Sequence, residues 1–231
     1  MKRLIALTIV SLLVAWGLSS YGVKAQRGTY SFSAWQPSGY VCPFTDSFTG
    51  AANAALSGAW KKRQSTNSSA LQQTGSGAVQ ENTLSSNAFY IAYDTQCPYL
   101  NNGQYAQATV TANSTTTGYV GLLVAYNTSI NNGYNFQGNG NGGTLMNIYS
   151  VTSGAITSLT SCSVTTPTGA VMKFALTGAS APYTLTVYKN GSSVCSTTSS
   201  LYAGTNGSPG MSITSDATSV ADQELSSFSG D

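Results

Sequence analysis

Beyond an apolar N-terminal run, apolar and polar residues alternate with a period of two in short stretches separated by clusters of Gly, Asn and Ser. That pattern predicts strands over Phe89–Tyr93, Gln104–Thr111, Tyr119–Tyr126, Leu145–Val151, Ala155–Ser161, Val171–Leu176, Tyr183–Lys189 and Ser192–Thr198. A helical period is confined to the short segment Ala51–Ala55. Short strands at regular spacing within one domain predict an all-β, two-sheet antiparallel sandwich or jelly roll.

The sharpest local signal lies between Tyr183 and Thr198, where two alternating runs flank Asn190-Gly191. This dipeptide is preferred in type I′ two-residue hairpins, because both residues must adopt positive φ. Regular pairing outward from the turn sets Val187 against Val194 and Thr186 against Cys195. Leu185, Val187 and Val194 then share the core face, while Thr186, Tyr188 and Cys195 point away from it.

The N-terminus has a different pattern. Lys2 and Arg3 precede the apolar run Leu4 to Leu18, and Val23-Lys24-Ala25 fits a signal-peptidase site. The apolar core is shorter than the roughly 20 residues needed to span a bilayer. Residues 1–25 are therefore expected to be a cleaved export signal, with no transmembrane anchor left after processing. Residues 26–42, with Tyr30, Phe32 and Trp35 among Gly, Ser and Pro, read as an extended leader, and residues 43–231 as the folded domain. The expected location is extracellular or periplasmic.

Cleavage changes the charge. Lys2, Arg3 and Lys24 leave and no acid does, so the formal charge falls from +2 to −1. The remaining Lys61-Lys62-Arg63 cluster is too small to track a phosphate backbone, which argues against nucleic acid as a partner. Histidine is absent and charged residues make up 7% of the chain, which removes most acid–base, zinc and phosphate chemistry. Four cysteines, Cys42, Cys97, Cys162 and Cys195, in an exported chain read as two disulfides. Of the three connectivities, Cys42 with Cys97 and Cys162 with Cys195 is favoured, because it clips each half of the domain separately.

The run of strands, together with Asp46-Ser47-Phe48, Leu56 to Trp60, Gly103-Gln104-Tyr105-Ala106-Gln107-Ala108-Thr109-Val110, Val120 to Val124, Gly133-Tyr134, Val151-Thr152-Ser153-Gly154, Asn190-Gly191 and Leu225-Ser226-Ser227-Phe228, resembles the laminin-G-like or concanavalin A-like jelly rolls of exported bacterial proteins. The resemblance covers about residues 43 to 230. It implies adjacent first and last strands, so that Phe48 and Phe228 close the same end of the core. It also implies a concave sheet carrying a glycan or substrate groove, and a structural calcium ion as a frequent addition. Asp46, Asp94 and Asp222 are candidate calcium ligands, since hard cations take oxygen donors. No contiguous calcium loop is present in the sequence.

Two functional classes remain to be weighed on the residues. Glycoside hydrolysis needs two carboxyl groups about 5–10 Å apart. Asp222 and Glu224, two apart on an expected strand, would place theirs on one face roughly 7 Å apart. They lie on the closing strand, and the Glu-x-Asp-x-x-Glu arrangement of the family's retaining glucanases is missing. A solvated strand face explains the pair better. Neutral glycans, by contrast, need amide and hydroxyl groups and aromatic faces. Tyr119, Tyr126, Tyr134, Asn135, Gln137, Asn147 and Tyr149 supply them on the strands where the resemblance puts the concave sheet. The expected function is a secreted, non-catalytic domain binding a glycan or cell-surface polysaccharide. A glycan hydrolase and a self-associating adhesive surface protein are the alternatives.

Overall fold

The structure is a computed structural model that describes residues 43–62, 70–83, 90–94, 103–113, 118–127, 129–140, 145–201, 207–214 and 219–231, all within the compact unit Gly39–Asp231. The expected signal segment and leader, Cys42 and Cys97 lie outside these residues.

The described residues form fifteen strands in two antiparallel sheets. They are β1 (Phe44–Asp46), β2 (Trp60–Lys62), β3 (Leu71–Gln73), β4 (Ala78–Glu81), β5 (Tyr90–Asp94), β6 (Gln104–Asn113), β7 (Tyr119–Asn127), β8 (Asn132–Asn139), β9 (Met146–Thr152), β10 (Ala155–Cys162), β11 (Val171–Thr177), β12 (Tyr183–Lys189), β13 (Ser192–Ser199), β14 (Ser208–Thr214) and β15 (Gln223–Gly230). One sheet has seven strands, in the order β10-β9-β8-β7-β14-β5-β2. The other has eight, in the order β13-β12-β11-β6-β15-β4-β3, with β1 also paired to β15. Ala51–Ala55, the one helical hint, forms a turn and an isolated bridge from Ala55 to Gln72.

The core between the sheets follows from the period of two. From the seven-stranded sheet come Val120, Leu122, Val124, Tyr134, Phe136, Met146, Ile148, Met211 and Ile213. From the eight-stranded sheet come Ala106, Ala108, Val110, Met172, Phe174, Leu176, Leu185, Val187, Leu225 and Phe228. Strand β8 carries the same alternation in Asn132–Asn139, but two of its eight residues are glycine and three are asparagine, a composition typical of turns. Its inward positions nevertheless pair with core residues of both neighbours, Val124 with Tyr134 on β7 and Phe136 with Ile148 on β9. Burial between two strong strands overrides the weak local propensity.

At one end of the sandwich the first and last strands meet as the resemblance implied. Strand β1 pairs with β15, Phe44 opposite Gly230 and Asp46 opposite Phe228. Phe44, Phe48, Trp60 and Phe228 form one aromatic cluster there, with Trp60 and Phe228 edge to face at 4.9 Å. Asp46 holds the cluster in place. Its Oδ1 accepts from the Phe48 amide at 2.8 Å, and its Oδ2 accepts from Trp60 Nε1 at 2.8 Å.

Cys162 and Cys195 form a disulfide with Cα atoms 5.9 Å apart, as favoured from the sequence. The direction of Cys195 differs from expectation. A bulge at Val187/Tyr188 shifts the register, so that Val187 pairs with Cys195 and Thr186 with Ser196. Val194 is the extra residue, and Cys195 is buried in the core. Because Cys162 ends β10 and Cys195 lies on β13, the bond ties the edge strand of one sheet to the edge strand of the other.

Candidate functional site

The outer face of the seven-stranded sheet is set by residues that alternate with the core positions. Register places Tyr119 opposite Asn139, Gly121 opposite Gln137 and Leu123 opposite Asn135 across β7 and β8. It continues with Gln137 opposite Asn147 and Asn135 opposite Tyr149 on β9, then Asn147 opposite Ser161 and Tyr149 opposite Ser158 on β10. Tyr119, Asn135, Gln137, Asn147 and Tyr149 therefore form one polar and aromatic patch across three adjacent strands.

Within the patch the side chains are ordered by their hydrogen bonds. Ser161 Oγ donates to Asn147 Oδ1, and the Asn147 side chain in turn bonds the Tyr149 phenol. Partial burial pushes the Tyr149 phenol above the usual tyrosine range. Tyr119 nearby adds to the rise, and the hydrogen bond with Asn147 opposes it. Both rings are half-buried, as is Asn147. Beneath them, Asn135 is fully buried, with its Oδ1 accepting from Ser212 Oγ at 3.2 Å. Gly121 leaves the space for this contact, because a Cβ there would collide with the Phe136 carbonyl and Ser212 Oγ. Gln137 is also buried. The accessible layer is thus Tyr119, Asn147 and Tyr149, resting on a polar floor.

Two of the expected ligand-binding tyrosines lie elsewhere. Tyr134 pairs with the inward residue Val124, so it faces the core, and its hydroxyl donates to the Leu201 carbonyl. Tyr126 follows a bulge at Ala125, where φ is 50° and the register on β8 shifts. The Ala125 amide freed by that bulge donates to Gln104 Oε1 at 2.5 Å, a link between the two sheets. Tyr126 packs with Leu123 and Val151, fully buried, and its hydroxyl donates to Asn131 Oδ1. The resemblance placed both rings on the strands of the concave sheet, whereas regular alternation puts Tyr126 on the face of Val124 and Tyr134 on that of Phe136. The bulge turns Tyr126 from the face of Val124 to that of Leu123 and Val151, where it is buried, while Tyr134 lies in the core between the sheets.

Asp222 and Glu224 do not lie on one strand as expected. Asp222 closes a 3₁₀ turn, Val220–Asp222, capped by Ser219, so it does not share a strand with Glu224 on β15. Burial pushes the Glu224 carboxyl above the usual carboxylate range. Both Asp46 oxygens accept N–H groups of the chain itself. Asp94 lies on β5, and its side chain is not among those described. No group of three or more acidic, cysteine or histidine side chains that could hold a metal occurs among the described residues.

No protein-family profile matches this sequence, and no curated protein matches it. Solved structures do resemble the fold. The carbohydrate-binding module CBM66 from Bacillus subtilis aligns with a TM-score of 0.52 at 12% identity, covering 76% of this chain and 94% of that one. The carbohydrate recognition domain of Emp47p aligns with a TM-score of 0.54 at 13% identity, covering 84% and 97%. That of Emp46p, in a potassium-bound form, aligns with a TM-score of 0.54 at 10% identity, covering 81% and 98%. The chain has the concanavalin A-like jelly-roll fold. At these identities the likeness concerns the fold.

Proposed function

We propose that this chain is an exported, non-catalytic carbohydrate-binding domain that holds a neutral glycan on the outer face of its seven-stranded sheet. The observation that carries this reading is the contiguous patch of Tyr119, Asn147 and Tyr149 over the buried amides of Asn135 and Gln137. A pyranose presents an apolar CH face and a rim of hydroxyls. The tyrosine rings supply a stacking surface, and Asn147 and the phenols supply hydrogen bonds. No charge is needed, and none of these five side chains carries one at neutral pH. The Cys162–Cys195 disulfide supports export, since such bonds persist in oxidising compartments. The carbohydrate-binding activity named for CBM66 and the Emp47p domain supports the ligand class.

The test is a screen of the purified protein against neutral glycans, followed by calorimetric titration of the best binder. Tyr149→Ala and Asn147→Ala are each expected to weaken binding by about tenfold, the scale of one lost stacking or hydrogen-bond contact. Circular dichroism should show the fold unchanged, because neither side chain belongs to the core between the sheets. Binding by a neutral glycan that both variants leave intact would exclude this face as the site.

A further inference from the structure

The outer face of the eight-stranded sheet carries a second arrangement of different chemistry. Lys173, on β11, lies opposite Gln107 of β6 on one side and Tyr188 of β12 on the other. Its ammonium sits 4.2 Å above the centre of the Tyr105 ring. Two adjoining depressions meet at this lysine. One of about 360 Å³ is lined by Gln107, Val171, Lys173, Tyr188 and Gly191. The other, of about 250 Å³, includes Tyr105, Thr177 and Asp231.

Lys173 makes no ion pair among the described residues, although Asp231 lines the smaller depression with it. The Tyr105 ring orients the ammonium through a cation–π contact. Among the described residues it has no hydrogen-bond acceptor and no carboxylate partner. Lys189, one strand over, donates to the Thr165 carbonyl at 3.0 Å. Three N–H donors of Lys173 thus remain to be spent at the junction of the depressions. The Asp231 carboxylate repels an anion from the smaller depression. The lining of the larger one holds Lys173 as its single charged group.

We propose that this face is a second binding site, for a carboxylated sugar such as a uronic acid residue of an acidic polysaccharide. The size of the larger depression falls at the lower end of ligand pockets, which suits a sugar unit better than a large molecule. One ammonium matches one carboxylate. A doubly charged phosphate monoester would call for further cations that this lining does not hold. Gln107 and Tyr188 line the same depression as Lys173, and their amide and hydroxyl match sugar hydroxyls. The site lies on the other sheet from the patch around Tyr149 and uses none of its residues, so it stands or falls independently.

The experiment is calorimetric titration of the full purified protein, at low ionic strength, with trigalacturonate and with its fully methyl-esterified form. Trigalacturonate is expected to bind, and to bind more weakly as salt is raised. Esterification should weaken it by about tenfold or more, the scale of one charge-assisted hydrogen bond. Lys173→Gln should cause the same loss. Lys173→Met, which keeps the apolar stem over Tyr105, should do so as well, and Tyr188→Ala should weaken binding with the charge intact. Lys61→Gln, on the other sheet, should leave it unchanged, which separates a site from general charge attraction. Absence of binding, equal binding of the ester, or full affinity in Lys173→Met would each overturn the proposal.

Discussion

Gly121 has no room for a side chain. A Cβ at this position would press into the Phe136 carbonyl and the Ser212 hydroxyl, the latter already bonded to Asn135. Gly121→Ala is expected to destabilise the protein by about 1–3 kcal/mol, because backbone on the neighbouring strand has to move. Urea denaturation measures this directly. Glu224 gives a prediction that depends on pH. Burial raises its folded-state pKa, so over the window from its unfolded pKa to the higher folded value the native state holds more protons than the unfolded chain. Stability therefore falls as pH rises through that window, and the contribution is fully present only below it. Glu224→Gln should flatten this slope when urea midpoints are compared from acid to neutral pH. An unchanged slope would assign the pH dependence to other groups. At this scale the sequence identified which chemistry was available. Alternation placed Tyr119 and Tyr149 on the outer face correctly, and the bulge at Ala125 moved Tyr126 off the face that a regular strand shares with Val124.

The hairpin of β12 and β13 illustrates what one element can and cannot reveal. Its turn was legible, since Asn190 and Gly191 both adopt positive φ, at 50° and 83°. Its register was not, because Val194 enters as an extra residue and moves every later side chain to the other face. A bulge has no composition signature of its own. It is selected by what the flanking residues gain, here the burial of Cys195 against β10 and its bond to Cys162. Replacing both cysteines by serine is expected to cost about 3–4 kcal/mol, given the sequence separation of 33 residues. A lowered thermal midpoint of comparable size on reduction of the wild-type protein would check the assignment to the bond itself. Strand β8 makes the converse point. Its Asn and Gly content hid a central strand that its two neighbours specify.

Across the whole molecule, closure depends on residues far apart in the chain. Phe44, Phe48 and Trp60 from the start of the described domain meet Phe228 near its end, and β1 and β15 pair beside them. Phe228→Ala is expected to cost about 3–5 kcal/mol, through lost burial and the cavity left behind. If the sandwich unfolds as one unit, fluorescence of Trp60's environment and far-ultraviolet dichroism should report a single shifted transition. Separate transitions would show that the aromatic end opens independently of the central strands.

The sequence by itself determined the all-β architecture, the placement of eight strands and a composition rich in hydroxyl and amide groups and poor in charge. These depend on local periodicity and composition, which neighbouring residues along the chain carry completely. The tertiary structure alone decided which tyrosines reach solvent, that Asp222 and Glu224 part company at a 3₁₀ turn, that Asp46 is spent on Phe48 and Trp60, and that Lys173 stands over Tyr105. Each of those outcomes rests on a bulge, a turn or a cross-strand partner, and so on contacts between residues that no local pattern brings together.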